Sequence, residues 1–177
     1  TTIEEKSLGA IRKGGTRPIQ GVLGTGREGF DYPSRPGLWL QDGTGSDVPS
    51  VTGMVAAGAQ VVVFTTGWGS TTGHAIAPVL KVTGNPGTYS RMGDNMDVNA
   101  GAILDGSGNL RSVGEGIFSD VVEVASGRMT KAEDLGYHDF IVYRTSGLAE
   151  RLLEVCPPEA LRGGRGLSSE AALEPGF

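Results

Sequence analysis

The sequence predicts an α/β domain, a mostly parallel sheet flanked by helices and joined by Gly-rich loops. Three observations predict it. Gln60 to Thr65 (QVVVFT) is a short, continuous, apolar run of the kind found in buried strands, and Pro78 to Val82 (PVLKV) is a second buried-type strand. Segments with helical spacing or helical caps stand before and after them. The chain also carries 30 glycines in 177 residues without a collagen-like period, which requires many tight turns or close backbone approaches.

The elements follow in order. Thr2 to Arg12 reads as a short helix: Thr2 can cap it, Glu5 completes a capping box, and Gly14-Gly15 stops it. An apolar scrap at Ile19 to Leu23 leads into turn-rich sequence with Pro33 and Pro36, and Leu38 to Leu40 is a short strand. Asp42 to Ser50 is a Gly/Asp/Ser/Thr loop. Val51 to Ala59, apolar with small residues, suits a helix packed close to a sheet. QVVVFT is the clearest strand, and its unbroken apolar character predicts cover on both faces. After the second strand comes a helical turn at Thr88 to Met92. Val113, Ile117, Val121, Val122 and Ala125 are spaced for an amphipathic helix ended by Gly127. Thr130 to Leu135 is a short helix with a Thr130/Glu133 box, and Asp139 to Tyr143 (DFIVY) is the last strand. Beyond Arg144 the composition shifts to a helix near Leu148 to Val155, then Pro157-Pro158 and a Gly/Arg/Ser tail. Residues 1–144 are therefore expected to form the domain, and 145–177 a peripheral, partly disordered end.

Composition sets the outer bounds. One sizeable core fits this length, and two full domains would be cramped. No apolar run reaches the roughly 20 residues of a membrane helix. A net charge of −5 without a basic patch or tail disfavours nucleic acid and anionic membrane as partners. A single cysteine, Cys156, excludes an internal disulfide framework and fits a reducing, cytoplasmic setting. The first segment reads as the middle of a protein, so a fragment or a processed domain is expected.

The candidate chemistry concentrates in Phe64 to Pro86 (FTTGWGSTTGHAIAPVLKVTGNP). A strand ends in a loop carrying Thr65, Thr66, Ser70, Thr71 and Thr72 between Gly67, Gly69 and Gly73. Ligands of open α/β sheets bind beyond the carboxyl ends of strands. Glycines there let N–H groups turn inward as an anion nest, which suits a carboxylate or phosphate. The alternative is an ordinary Gly-rich turn whose hydroxyls satisfy its own backbone. Lys81 stands inside the second strand, where burial is expensive unless the ammonium is paired or works as a base or cationic clamp. Its alternative is an edge lysine reaching water. Asp94, Asn95, Asp97 and Asn99 gather oxygen ligands of the type a divalent cation takes, although such clusters are more often turns. His74, beside the Thr-rich loop, is a candidate ligand or acid-base group, and His138 reads as a surface residue. The Gly24 to Gly29 match to GxGxxG is rejected, because the FDYPSRP that follows cannot open a helix.

Four segments in this order resemble the C-terminal portion of altronate and galactarate dehydratases. They are TTIEEKSLGAIRKGG from Thr1, SVTGMVAAGAQVVVFTTGWGS from Ser50, PVLKVTGNPGTYSRMGDNMDVNAG from Pro78 and VASGRMTKAEDLGYHDF from Val124. The same family includes a sulfolactate sulfo-lyase large subunit. The resemblance implies a hydro-lyase that removes water from a sugar acid to give a 2-keto-3-deoxy acid, with a divalent metal, Fe2+, as cofactor. It implies that Thr65, Thr66, Gly67, Ser70 and Asn85 hold the substrate, and that Glu4, Glu5 and Lys6 form a charged set nearby. Lys81 would be clamp or base, and Asp94 and Asp97 would bind metal or move a proton. Trp68 departs from the family, which carries Arg after Thr-Thr-Gly, so the loss of a carboxylate clamp opens the substrate class. Elimination of sulfite from sulfolactate, or a non-catalytic scaffold or dimerisation role, are the alternatives. Family enzymes are longer, so the rest of the enzyme is an expected partner, along with a homodimer mate.

Overall fold

The capping pattern at the start of the chain does form a helix. The computed structural model describes residues 2–26 and 29–141. Helix α1 (Ile3–Lys13) opens with the Thr2 hydroxyl accepting the Glu5 N–H at 3.2 Å, while the Glu5 carboxylate accepts the Thr2 N–H at 3.1 Å. Strand β1 (Ile19–Leu23) follows, then β2 (Thr25–Gly26) and β3 (Gly29–Phe30), which pair antiparallel, then β4 (Leu38–Gln41), which pairs in parallel with β1. Within the segment matching GxGxxG, Thr25, Gly26 and Gly29 thus lie in short strands rather than at the mouth of a helix.

Helix α2 (Asp47–Ala56) begins a turn earlier than expected, within the segment read as loop. Its first turn holds Asp47, favoured by the helix dipole, and Pro49, tolerated there because that turn has no intrahelical partner for its N–H groups. Ser46 caps it without a side-chain bond, so the usual signal of a helix start is missing.

The second sheet contains β5 (Val62–Thr66), β6 (Val79–Thr83) and, after helix α3 (Pro86–Arg91), β7 (Val98–Asn99). Their order is β5-β6-β7, all parallel, with Phe64 opposite Lys81 and Val82 opposite Val98. Every residue of β6 is buried. Val51 of α2 packs on Val62 and Val79, with Met54, Val55, Ala59 and Phe64 around them. Each fully buried aliphatic side chain there contributes about 1.5–3 kcal/mol. A 3-10 turn (Ala100–Ile103), α4 (Leu110–Ala125) and α5 (Lys131–Asp134) complete the described chain. The Thr130/Glu133 box of α5 forms as expected.

Two expectations need correcting. β5 is not covered on both faces: Val63 is 42% exposed and burial alternates along the strand, because α2 packs on one face and β5 ends the sheet among the described residues. Asp139 to Ile141 is not strand. Asp139 uses its side chain to accept the Gly73 N–H, and the Ile141 N–H goes to the Thr52 hydroxyl at 3.3 Å instead of to a ladder. Residues 142–143, the expected helix at Leu148 to Val155 and the Pro157-Pro158 tail lie outside the described residues.

Candidate active site

The Thr-rich loop leaves β5 at Thr66 and returns at β6. Two of its hydroxyls serve its own backbone. Thr66 Oγ1 accepts the Gly69 N–H at 3.1 Å, and Ser70 Oγ accepts the Thr72 N–H at 3.2 Å while donating to Asp47 Oδ2 at 2.7 Å. The Gly73 N–H goes to Asp139 Oδ2 at 3.3 Å. Three N–H groups of the expected anion nest therefore have internal acceptors, and the turn alternative accounts for this part of the loop. Two glycines are required by space. Gly69 sits at φ +88°, where a Cβ would lie 2.4 Å from Met92 Sδ, and a Cβ on Gly73 would lie 2.2 Å from the Tyr137 carbonyl oxygen. Thr65, Gly67, Trp68 and Thr71 face solvent.

Beneath this loop lies Lys81. It is 0% exposed, so it does not reach water as an edge lysine would. Its Nζ donates to the Thr71 carbonyl at 3.4 Å and stands 5.6 Å from the centre of the Tyr137 ring. Burial pulls its pKa below the ordinary lysine value; Asp97 and Asp139 oppose that shift and Lys131 adds to it. A solvent-closed ammonium acts on a ligand through the loop it supports and through its field.

Asp97 is tied down on both oxygens. Oδ2 accepts the Lys81 N–H at 2.7 Å and Oδ1 accepts the Lys131 N–H at 2.9 Å. Lys131 in turn donates from Nζ to the carbonyls of Gly93 and Met96, and stands over the Tyr89 ring. Asn85 caps α3, accepting from Gly87 and Thr88 at 2.9 and 3.3 Å, and Asn99 caps the 3-10 turn. Asp94 is exposed. Asn95 Oδ1 is buried without a hydrogen-bond partner among the described residues, but one amide oxygen is not a metal site. Among the described residues no three His, Cys, Asp or Glu side chains converge as metal ligands. With Asp97 committed to two backbone donors as well, the described residues do not fit a divalent metal centre.

His74 is nearly buried, and its Nδ1 accepts the Ile76 N–H at 3.3 Å, which places the neutral ring's proton on Nε2. Burial pushes its pKa below the ordinary imidazole value. It lines an apolar cavity of about 340 Å³ with Val55, Ile76 and Phe140. Glu5 is exposed and its hydrogen bonds stay within the α1 cap; the Lys6 side chain lies outside the described residues. A larger cavity of about 660 Å³, between β4 and α2, contains none of the residues singled out from the sequence, and the chemistry points to the strand ends instead. The structure adds Asp47, Tyr137 and Asp139 to the site. Tyr137 and Asp139 stand in the LGYHDF stretch, legible as a motif but silent about contact with a loop far upstream.

Comparison with known proteins completes the assignment. The family described as D-galactarate/altronate dehydratase, C-terminal, matches residues 1–147. The chain is 37% identical over 145 residues to the beta subunit of (2R)-sulfolactate sulfo-lyase of Chromohalobacter salexigens, covering 81% of this chain and 36% of that protein. It is 36% identical over 138 residues to galactarate dehydratase (L-threo-forming) of Escherichia coli, covering 77% of this chain and 26% of that protein. It is 30% identical over 145 residues to altronate dehydratase of Bacillus subtilis, covering 82% and 28% respectively. The chain thus spans between 26% and 36% of the length of these relatives. With a family match over most of its length, the chain belongs to the C-terminal region of the D-galactarate/altronate dehydratase family.

Proposed function

We propose that the chain is the C-terminal catalytic region of a lyase that eliminates water from a sugar acid of the altronate or galactarate type, giving a 2-keto-3-deoxy acid. The observation that carries this reading is where the family's ordered motifs fall. Three of the four segments that carry the resemblance, those from Ser50, Pro78 and Val124, come together at the Thr/Gly loop beyond the carboxyl end of β5, above the buried Lys81.

The chemistry asks for a place to hold a carboxylate and hydroxyls, and for positive charge near the enediolate that develops as the α-proton leaves. Thr65, Gly67 and Thr71 are the exposed parts of the loop and take the holding role. Lys81 supplies the charge from below, transmitted at Thr71. Ser70, buried and bonded to Asp47, fixes the loop rather than meeting substrate. Met92 reaches Gly69, so the Asp/Asn cluster adjoins the loop, and Asp94 is its solvent-facing carboxylate suited to moving a proton. No step here runs through a metal ion, since the described residues do not fit one.

A second reading is elimination of sulfite from sulfolactate. It is favoured by Trp68, 88% exposed where the family pattern carries Arg, and by the likeness to the sulfo-lyase subunit. One experiment tests both. The chain is exchanged for the matching region of Escherichia coli galactarate dehydratase and of the Chromohalobacter sulfo-lyase subunit. The folded chimeras are then assayed for 2-keto acid from galactarate and altronate and for sulfite from sulfolactate. Keto acid supports the first reading and sulfite the second. Folded chimeras inactive in both assays overturn the two together.

A further inference from the structure

The two loops that flank the candidate site, one after β5 and one between α3 and β7, are both fastened from one short module. That module is Thr130 to Asp139, made of α5 and the segment after it. At one end the Lys131 N–H goes to Asp97 Oδ1, and Lys131 Nζ holds the carbonyls of Gly93 and Met96. The loop between α3 and β7 is thereby gathered onto the start of α5. At the other end Asp139 Oδ2 accepts the Gly73 N–H, the Tyr137 carbonyl lies where a Cβ of residue 73 would stand, and the Tyr137 ring approaches Lys81 Nζ. The module is itself locked. Glu133 accepts from both the Thr130 N–H and the Thr130 hydroxyl, and Thr130 and Ala132 are buried.

We infer that Thr130 to Asp139 is a buckle that sets the spacing between the Thr-rich loop and the Asp94–Asp97 loop, with Asp139 and Tyr137 as positioning residues for the turn Thr71–Gly73. The inference rests on the proposed function for the purpose it serves, but the fastening itself stands on contacts within this chain. The geometry gives each residue its task. Gly73 is buried and its N–H points at Asp139, so losing that acceptor releases the turn locally. Asn at 139 keeps a carbonyl oxygen in the same place and Ala does not.

The test compares Asp139→Ala and Asp139→Asn in the 177-residue chain by amide hydrogen exchange at Gly73 and Thr71. The same variants are placed in the active chimera for kinetics. Asp139→Ala should speed exchange at Gly73 about tenfold or more, while Asp139→Asn stays within about threefold of the parent. In the chimera Asp139→Ala should raise KM for the hydroxy acid more than it lowers kcat, and Asp139→Asn should restore it. Gly73 exchange unchanged in a folded Asp139→Ala protein overturns the buckle, whether or not any substrate is turned over. Faster exchange with KM unmoved overturns the positioning role while leaving the proposed reaction intact. If no chimera is active, the reaction fails, and with it the positioning role, while exchange still decides the fastening.

Discussion

Asp97 joins two backbone segments by accepting the N–H of Lys81 on one carboxylate oxygen and the N–H of Lys131 on the other, at 2.7 and 2.9 Å. A carboxylate used in this way works as a strut. Removing it in Asp97→Ala leaves two donors without an acceptor and should destabilise the chain by about 2–4 kcal/mol in urea unfolding. Asp97→Asn retains one acceptor oxygen and should lose roughly half as much.

The same strut bears on metal binding. Titrating the chain with manganous or ferrous ion should show no saturable site at Asp97, and Asp97→Ala should bind either ion as the parent does. Calorimetry decides it. A tight stoichiometric site abolished by Asp97→Ala would return this residue to the role of ligand.

Lys81→Met separates function from stability. A thioether fills the same buried strand position without the cost of an enclosed charge, so unfolding free energy should change by less than about 1.5 kcal/mol. Turnover in an active chimera should fall about a hundredfold or more, because the charge beneath Thr71 is gone. Equal activity in the variant would remove Lys81 from the site.

Ser70→Ala breaks the bond to Asp47 and strips the Thr72 N–H of its acceptor. About 1.5–3 kcal/mol of stability should be lost in thermal or urea unfolding, a hydrogen bond to an ionised partner being at the upper end of the usual range.

His74 gives a pH dependence with a definite sign. Burial lowers its pKa in the fold from an ordinary value of 6.5, so the unfolded chain takes up the proton first as pH falls. Its contribution is fully present above about 6.5 and is lost as pH drops from there through the lower folded value. Protonation also removes Nδ1 as acceptor for the Ile76 N–H. His74→Gln should therefore lose less stability than the parent between pH 7.5 and 5.5, measured by urea midpoints.

The sequence announced β6 and the caps of α1 and α5 because each is a local fact. A β-branched, mainly apolar run and a Thr-x-x-Glu box need no knowledge of the rest of the chain. β5 misled because a run of valines reports apolar character and not which face a helix covers. Lys81 was legible since a charge within such a strand needs a reason. Asp139 was not, because its partner Gly73 lies 66 residues upstream and only the folded backbone brings the two together. Asp47 was hidden for a similar reason, lying in polar sequence 23 residues before the serine it binds.

The open side of β5 has a practical consequence. Val62 to Phe64 is β-branched and aromatic, carries no charge or proline, and ends its sheet among the described residues with Val63 turned outward. Such an edge is a template for pairing with another chain. A Val63→Lys substitution, placing a gatekeeper charge on that exposed position, is the first change to make for keeping concentrated solutions of the chain clear of aggregates.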